Sequence, residues 1–187
     1  MTKQIYQLQI TLVDSKPKIW RKILVNPDTL LVDLHKIIQT TMGWTNSHLH
    51  LFNDGIYEYA PKEFEVEDTK NSRTIKLNKI LKKEKQCILY EYDFGDGWEH
   101  EILLEKIIED DEKNQIPGCI GGKRNCPPED CGGIWGYEDL LKIISDKKNK
   151  EYKETMTWLG GEFDPEYFDM TEINKLLKKK DFGCIWL

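Results

Sequence analysis

The stretch Tyr92-Asp93-Phe94-Gly95-Asp96-Gly97-Trp98-Glu99-His100 constrains this chain more than any other. Asp96-Gly97 is a dipeptide suited to the positive φ angles of a two-residue hairpin loop, which Gly adopts freely and Asp tolerates. The flanking residues, Ile88 to Tyr92 and Glu101 to Leu104, read as strands, so an antiparallel pair is expected here. With Asp96 and Gly97 as the loop, Asp93 faces His100 across the ladder, and Trp98 and Ile102 share their face. A Gly95-Asp96-Gly97 loop would instead pair Tyr92 with His100. A carboxylate opposite an imidazole makes the hairpin a candidate site without naming a reaction.

Upstream, Tyr6, Leu8, Ile10 and Leu12 alternate with Gln7, Gln9 and Thr11, the pattern of a half-buried strand. Asp14 to Pro17 supplies a turn, and Ile19 to Val25 a second strand. Asn26-Pro27-Asp28-Thr29 predicts a helix start with Asp28 or Thr29 as N-cap. Leu30, Leu31, Leu34, Ile37, Ile38 and Met42 follow at helical spacing, and Gly43 ends the helix. Ser47 to Phe52 reads as a third strand, with His48 and His50 projecting from one face. Residues 60 to 75 form a charged surface excursion, and Ile75, Leu77, Ile80 and Leu81 a short helical element. The acidic run Glu109 to Glu112 reads as a solvated loop after the central hairpin. Ile116 to Gly136 is a Gly-, Pro- and Cys-rich loop too long for a simple connection. Helices are expected over 137–145 and 152–159, and a last apolar stripe at Ile173, Leu176 and Leu177. The whole chain, 1–187, is expected to form one α+β domain. Its mixed sheet would have a β-grasp-like N-terminal half (strand–strand–helix–strand), a central hairpin and C-terminal helices.

Charge narrows the function. The chain carries a formal net charge of −6, which opposes the phosphate neutralisation that nucleic-acid binding depends on. The runs at Lys147 to Lys150 and Lys178 to Lys180 fit solvated helix ends, where cations complement the dipole. Apolar runs such as Cys87 to Tyr90 are far too short to cross a bilayer, so no membrane partner is expected. No apolar signal region follows Met1, which points to the cytoplasm. Reduced thiols suit that setting. Cys87 and Cys184 read as small core residues, whereas Cys119, Cys126 and Cys131 share the long loop.

Several constellations carry chemistry. His48, His50, Asp93 and His100 together could hold a divalent metal, zinc or magnesium, with Glu129 or Asp130 as general base. The alternative leaves His48 and His50 on the solvent face and His100 held by Asp93. Cys119-x6-Cys126-x4-Cys131 fits paired zinc knuckles poorly, though thiolates with one histidine remain a second candidate metal set. Asp130, behind the stiff Pro127-Pro128, could instead accept backbone N–H groups of the turn at Cys131 to Gly133. Trp20, Trp44, Trp98, Trp135 and Trp158 read mostly as core. Trp98, Trp135 and Tyr137 lie in turn-rich segments and are candidates for lining a ligand pocket.

Taken in order, several segments resemble one family. They are Pro17-Lys18-Ile19-Trp20-Arg21, Leu34-His35, Met42-Gly43-Trp44, His48 to Phe52, Tyr92 to His100, Cys126 to Gly133, Gly136-Tyr137 and Phe163 to Asp169. Together they cover nearly the whole chain and resemble the plasmid pRiA4b ORF-3-like proteins, relatives of which are labelled as passenger proteins of an insertion element. The resemblance implies an α+β fold and an uncharacterised role in mobile-element neighbourhoods. It does not imply serine-recombinase chemistry, because the only arginines are Arg21, Arg73 and Arg124. The leading expectation is a binding or accessory module for an unidentified ligand or protein partner. Its site would combine the Asp93–His100 hairpin with the loop from Cys119 to Tyr137. A metal-dependent hydrolase of phosphoesters is the rival, and a nucleic-acid accessory protein the third reading. No motif is specific enough to assign a reaction.

Overall fold

The computed structural model describes residues 3–110 and 113–184. The strands are β1 (Gln4–Leu12), β2 (Trp20–Val25), β3 (His50–Asn53), β4 (Glu58–Ala60), β5 (Lys70–Asn71), β6 (Cys87–Tyr92), β7 (Trp98–Glu109) and β8 (Gly118–Lys123). The helices are α1 (Leu31–Met42), α2 (Leu77–Ile80), α3 (Gly133–Ser145), α4 (Tyr152–Trp158) and α5 (Met170–Leu176). All eight strands join one sheet in the order β5-β4-β3-β6-β7-β1-β2-β8. Every pairing is antiparallel except β4 with β5, so the sheet is mixed and the fold is α+β. The strand–strand–helix–strand order is present at the N-terminus. The β6–β7 hairpin sits between β1 and β3, so these two strands are not neighbours.

The alternation in β1 does what its pattern requires. Tyr6, Leu8, Ile10 and Leu12 are buried while Gln7, Gln9 and Thr11 are partly exposed. Helix α1 covers this inner face and is buried almost all round. On its far side Lys36 pairs with Asp181 at 2.8 Å and the Thr40 hydroxyl donates to the Phe182 carbonyl at 3.0 Å. Gly43 ends α1 in the left-handed region (φ 99), where a Cβ would be strained. The N-cap is Leu30, later than the expected Asp28 or Thr29. Asp28 is instead held by Lys76 and Asn78.

At the other end of the sheet order, β8 is an edge strand closed by α5. Asn174 accepts from Cys119 N and donates to Cys119 O, each at 2.8 Å. This occupies one residue's worth of the free edge that would otherwise invite pairing.

Several expectations need correction. The hairpin pairs Tyr92 with Trp98 and Tyr90 with His100, so Asp93 does not face His100. The Gly95-Asp96-Gly97 alternative fails too. Asp93 enters the left-handed region (φ 59), and its carbonyl accepts from Gly97 N at 2.6 Å, so the loop opens at Asp93. Trp98, His100 and Ile102 do share a buried face. The expected loop 116–136 contains β8 and the start of α3. Cys87 is exposed, because the alternation in β6 sends Ile88, Tyr90 and Tyr92 inward. Trp135 and Trp158 are exposed rather than core. Asp110 is not solvated but pairs with Lys3, and Asp111 and Glu112 lie outside the described residues. Among the described residues, no helix is long and apolar enough to cross a membrane.

Candidate functional site

Three connections meet at one end of the sheet: the segment Trp44 to Leu49 after α1, the hairpin loop Asp93 to Gly97, and the segment Cys126 to Gly132 before α3. Buried polar side chains hold the first in place. His35 Nε2 donates to Asn46 Oδ1 at 2.6 Å, which fixes the tautomer, so His35 Nδ1 accepts from the Tyr90 hydroxyl at 2.8 Å. Gln39 donates to the same hydroxyl at 3.1 Å and accepts from Asn46 N at 3.0 Å. The chain turns at Asn46 in the left-handed region (φ 59), which Asn tolerates better than most residues.

Glu129 ties the first segment to the third. Its carboxylate accepts from Thr45 N at 3.1 Å, from the Thr45 hydroxyl, and from the Tyr92 hydroxyl at 2.6 Å. Tyr92 in turn accepts from Ser47 N at 2.9 Å. Trp44 Nε1 donates to the Pro127 carbonyl at 3.0 Å. Burial pushes the Tyr92 hydroxyl well above its ordinary pKa, and its bond to Glu129 adds to the shift. A carboxylate with its oxygens so committed is a brace, and the expectation of Glu129 as general base is corrected on that ground. The hairpin loop is tied to the third segment by Gly132 N donating to Asp96 Oδ2 at 3.2 Å. That contact belongs to Asp96, not to Asp130 as anticipated.

His48, Asp93 and Asp130 lie where the three connections meet. His48 Nε2 is 3.6 Å from Asp93 Oδ2 and 3.3 Å from Asp130 Oδ1, yet it makes no hydrogen bond. Asp93 Oδ1 accepts from Gly95 N at 2.9 Å and Asp96 N at 3.4 Å, which leaves Oδ2 facing His48. Asp130 occupies the left-handed region (φ 60), and its side chain is 71% exposed, so the site opens to solvent on that side.

The other expected metal ligands do not converge there. His50, the first residue of β3, points into the core and stacks on His35 with ring centroids 3.4 Å apart and planes 7° apart. His100 is fully buried, packs edge-on against Trp44 and donates Nδ1–H to the Tyr90 carbonyl at 3.3 Å. Burial lowers the pKa of His35 and of His100 to about 4, and depresses His50 as well, so all three are neutral core residues. The expected set fails because His48 precedes β3 in a bend, so the strand alternation does not carry it to the face of His50.

The cysteines also separate. Cys119 is buried in β8 with its thiol 3.4 Å from the Gly121 carbonyl. Burial raises Cys126 well above the ordinary thiol range and Cys131 to about 12, so neither is a ready thiolate. Trp98 is buried in the core, 6.0 Å from Trp44, rather than lining a pocket. Tyr137 is buried as well, and Trp135 is 77% exposed on the first turn of α3. The chain's alternation does not reveal Thr45, Asn46 or Tyr92 as organisers. An inward-facing tyrosine in a strand is the available signal, since a buried hydroxyl needs a partner.

Beside the junction, α3 and α4 enclose a cleft of about 480 Å³ that begins at Asp130 and Cys131. Leu140, Ile143 and Trp158 supply apolar surface, and Asp139, Glu151 and Glu154 supply carboxylates. A larger hollow of about 990 Å³ lies between Lys3, Asn26 to Thr29 and Asn78. It sits at the opposite end of β1 from the junction, among polar side chains and Pro27.

The comparisons with known proteins agree with this architecture. Protein MM3350 from Methanosarcina mazei Go1, whose crystal structure is titled as that of a protein of unknown function, superposes with a TM-score of 0.83 at 36% identity. That match covers 92% of this chain and 98% of the other. The uncharacterized protein y4hQ of Sinorhizobium fredii (strain NBRC 101917 / NGR234) is 31% identical over 189 residues, covering 100% of this chain and 96% of y4hQ. The family model described as plasmid pRiA4b ORF-3-like protein matches residues 4–172, which include all three segments of the junction. With the family model matched over residues 4–172 and two relatives more than 30% identical over nearly the full length, the chain belongs to the plasmid pRiA4b ORF-3-like family.

Proposed function

We propose that the protein is a binding module that takes a basic, partly apolar segment of a partner protein into the cleft between α3 and α4. The supporting observation is the lining of that cleft, with the carboxylates of Asp130, Asp139, Glu151 and Glu154 around Leu140, Ile143 and Trp158. Trp158 is half exposed, so its ring face is available to a lysine or arginine head group. A long cationic side chain satisfies both halves of such a lining, because its stem is apolar and its tip charged. Glu151 and Asp139 each have a lysine partner of their own, Lys150 and Lys142. These exposed pairs are weak and exchange readily for a docked cation.

The same lining disfavours phosphate-bearing ligands, and with them the nucleic-acid and phosphoester readings. An accessory role in the cytoplasm beside a mobile element is part of the proposal, and the plasmid in the family's name supports it. The test is fluorescence anisotropy with a labelled peptide alternating Lys or Arg with Leu, against its Glu-substituted counterpart. The basic peptide is expected to bind with micromolar affinity that weakens with salt. The double variant Glu151→Gln/Glu154→Gln should lower it about fivefold, the scale of two exposed ion pairs. Equal binding of the acidic peptide, or no binding of the basic one, would contradict the reading.

A further inference from the structure

We infer that His48, Asp93 and Asp130 form a tetrahedral zinc site with its fourth position open to solvent. The first observation is an imidazole nitrogen without a partner. His48 Nε2 is shielded from solvent and faces two carboxylate oxygens, at 3.3 and 3.6 Å, but bonds to neither. An N–H hydrogen-bonded to either aspartate would point at its oxygen along a short, straight line. This nitrogen does not, which leaves its lone pair free to bind a cation shared with the carboxylates.

Two of the three donor separations fit zinc. Donors held about 2.1 Å from zinc at tetrahedral angles stand about 3.4 Å apart. The octahedral arrangement of magnesium, also at about 2.1 Å, sets neighbouring donors about 3.0 Å apart and prefers oxygen throughout. The two separations from His48, 3.3 and 3.6 Å, straddle the tetrahedral value, and one donor is nitrogen. All the donor atoms lie within 4.8 Å of one another. Calcium would need more oxygen ligands than converge here.

The backbone segments that carry the ligands are held in place without the ion. Asp93 spends one oxygen on the backbone N–H groups of its own loop and presents the other. Ser47, beside His48, is bonded to the Tyr92 hydroxyl, and the His48 ring packs edge-on against Tyr92. Glu129, the residue before Asp130, is anchored by Thr45 N and the Tyr92 hydroxyl. Outer contacts of this kind orient metal ligands and support affinity. The exposed Asp130 leaves a path for the ion and for a water or ligand atom at the fourth position.

The cleft reading shares Asp130 with this site, but the measurement involves no peptide, so failure of one reading is distinguishable from failure of the other. Protein made without an affinity tag, stripped with a chelator and dialysed, is titrated with zinc chloride by calorimetry, followed by elemental analysis. One zinc per chain is expected, and a millimolar excess of magnesium should not displace it. His48→Ala, Asp93→Asn and Asp130→Asn should each weaken binding by about 100-fold, while Cys119→Ser leaves it unchanged. Circular dichroism melting reports whether each variant folds. Asp130→Asn, on an exposed side chain, keeps the test decisive if Asp93→Asn does not fold. Absence of stoichiometric zinc in the native chain would overturn the inference. So would undiminished zinc binding in folded Asp130→Asn, or loss of zinc on Cys131→Ser.

Discussion

Asp93 divides its carboxylate between two tasks. One oxygen accepts the N–H groups of Gly95 and Asp96 and so shapes the loop, and the other faces His48. This explains why the simple two-residue turn does not form. An aspartate that caps its own loop competes with ladder pairing, and the hairpin widens to let it. Tyr92 is divided in the same way, donating to Glu129 while accepting from Ser47 N. Tyr92→Phe should therefore leave a carboxylate and an N–H short of partners. The expected cost is about 1–3 kcal/mol, read as a lower urea midpoint. Zinc affinity should fall by about tenfold through loss of ligand positioning. Gly133 makes a narrower prediction. Its φ is +67, and a Cβ there would run into the Asp96 carbonyl. Gly133→Ala should destabilise the fold by about 1–3 kcal/mol, measured by thermal melting.

At the scale of elements, strands with clear alternation were readable and short or glycine-rich ones were not. Tyr6 to Leu12 announces β1, and the helical spacing from Leu31 to Met42 announces α1. By contrast Gly-Cys-Ile-Gly-Gly-Lys, which forms β8, has too little side chain to show a period of two. Its place is set by pairing with β2 across a register shift and by the clamp from Asn174. Asn174→Ala should remove both bonds to Cys119. Hydrogen exchange at the Cys119 amide is expected to rise by about tenfold or more, with a loss of stability of about 1–2 kcal/mol. An unchanged exchange rate would show that β8 needs no clamp.

For the whole molecule, the buried histidines link stability to pH. His35 and His100 have folded pKa values lowered to about 4 from the ordinary 6.5, chiefly by burial. The unfolded chain therefore takes up protons below pH 6.5 while the fold refuses them until near pH 4. Stability is full above pH 6.5 and falls as pH drops through that window, by about 3 kcal/mol for each histidine. Urea titrations at pH 7.5, 6 and 5 should show the midpoint falling steadily, and a flat profile would contradict the neutral, buried state. The whole-molecule view also explains what the sequence hid about the site. His48, Asp93 and Asp130 were each visible as candidates, and their common location was not. Contacts between residues far apart in the chain, such as Thr45 to Glu129 and Gly132 to Asp96, create that location. Local patterning carries no record of them. The period-two reading of Ser47 to Phe52 therefore grouped His48 with His50, which the bend at His48 separates.

The inference that can be tested most sharply is that the junction of the three connections is a metal site organised around His48. Anomalous diffraction at the zinc edge, from crystals of the untagged native chain grown with zinc, tests it most directly. The expected result is one strong peak about 2.0–2.2 Å from His48 Nε2 and from a carboxylate oxygen of both Asp93 and Asp130. A peak at Cys126 and Cys131 instead, or none at the junction, would contradict it.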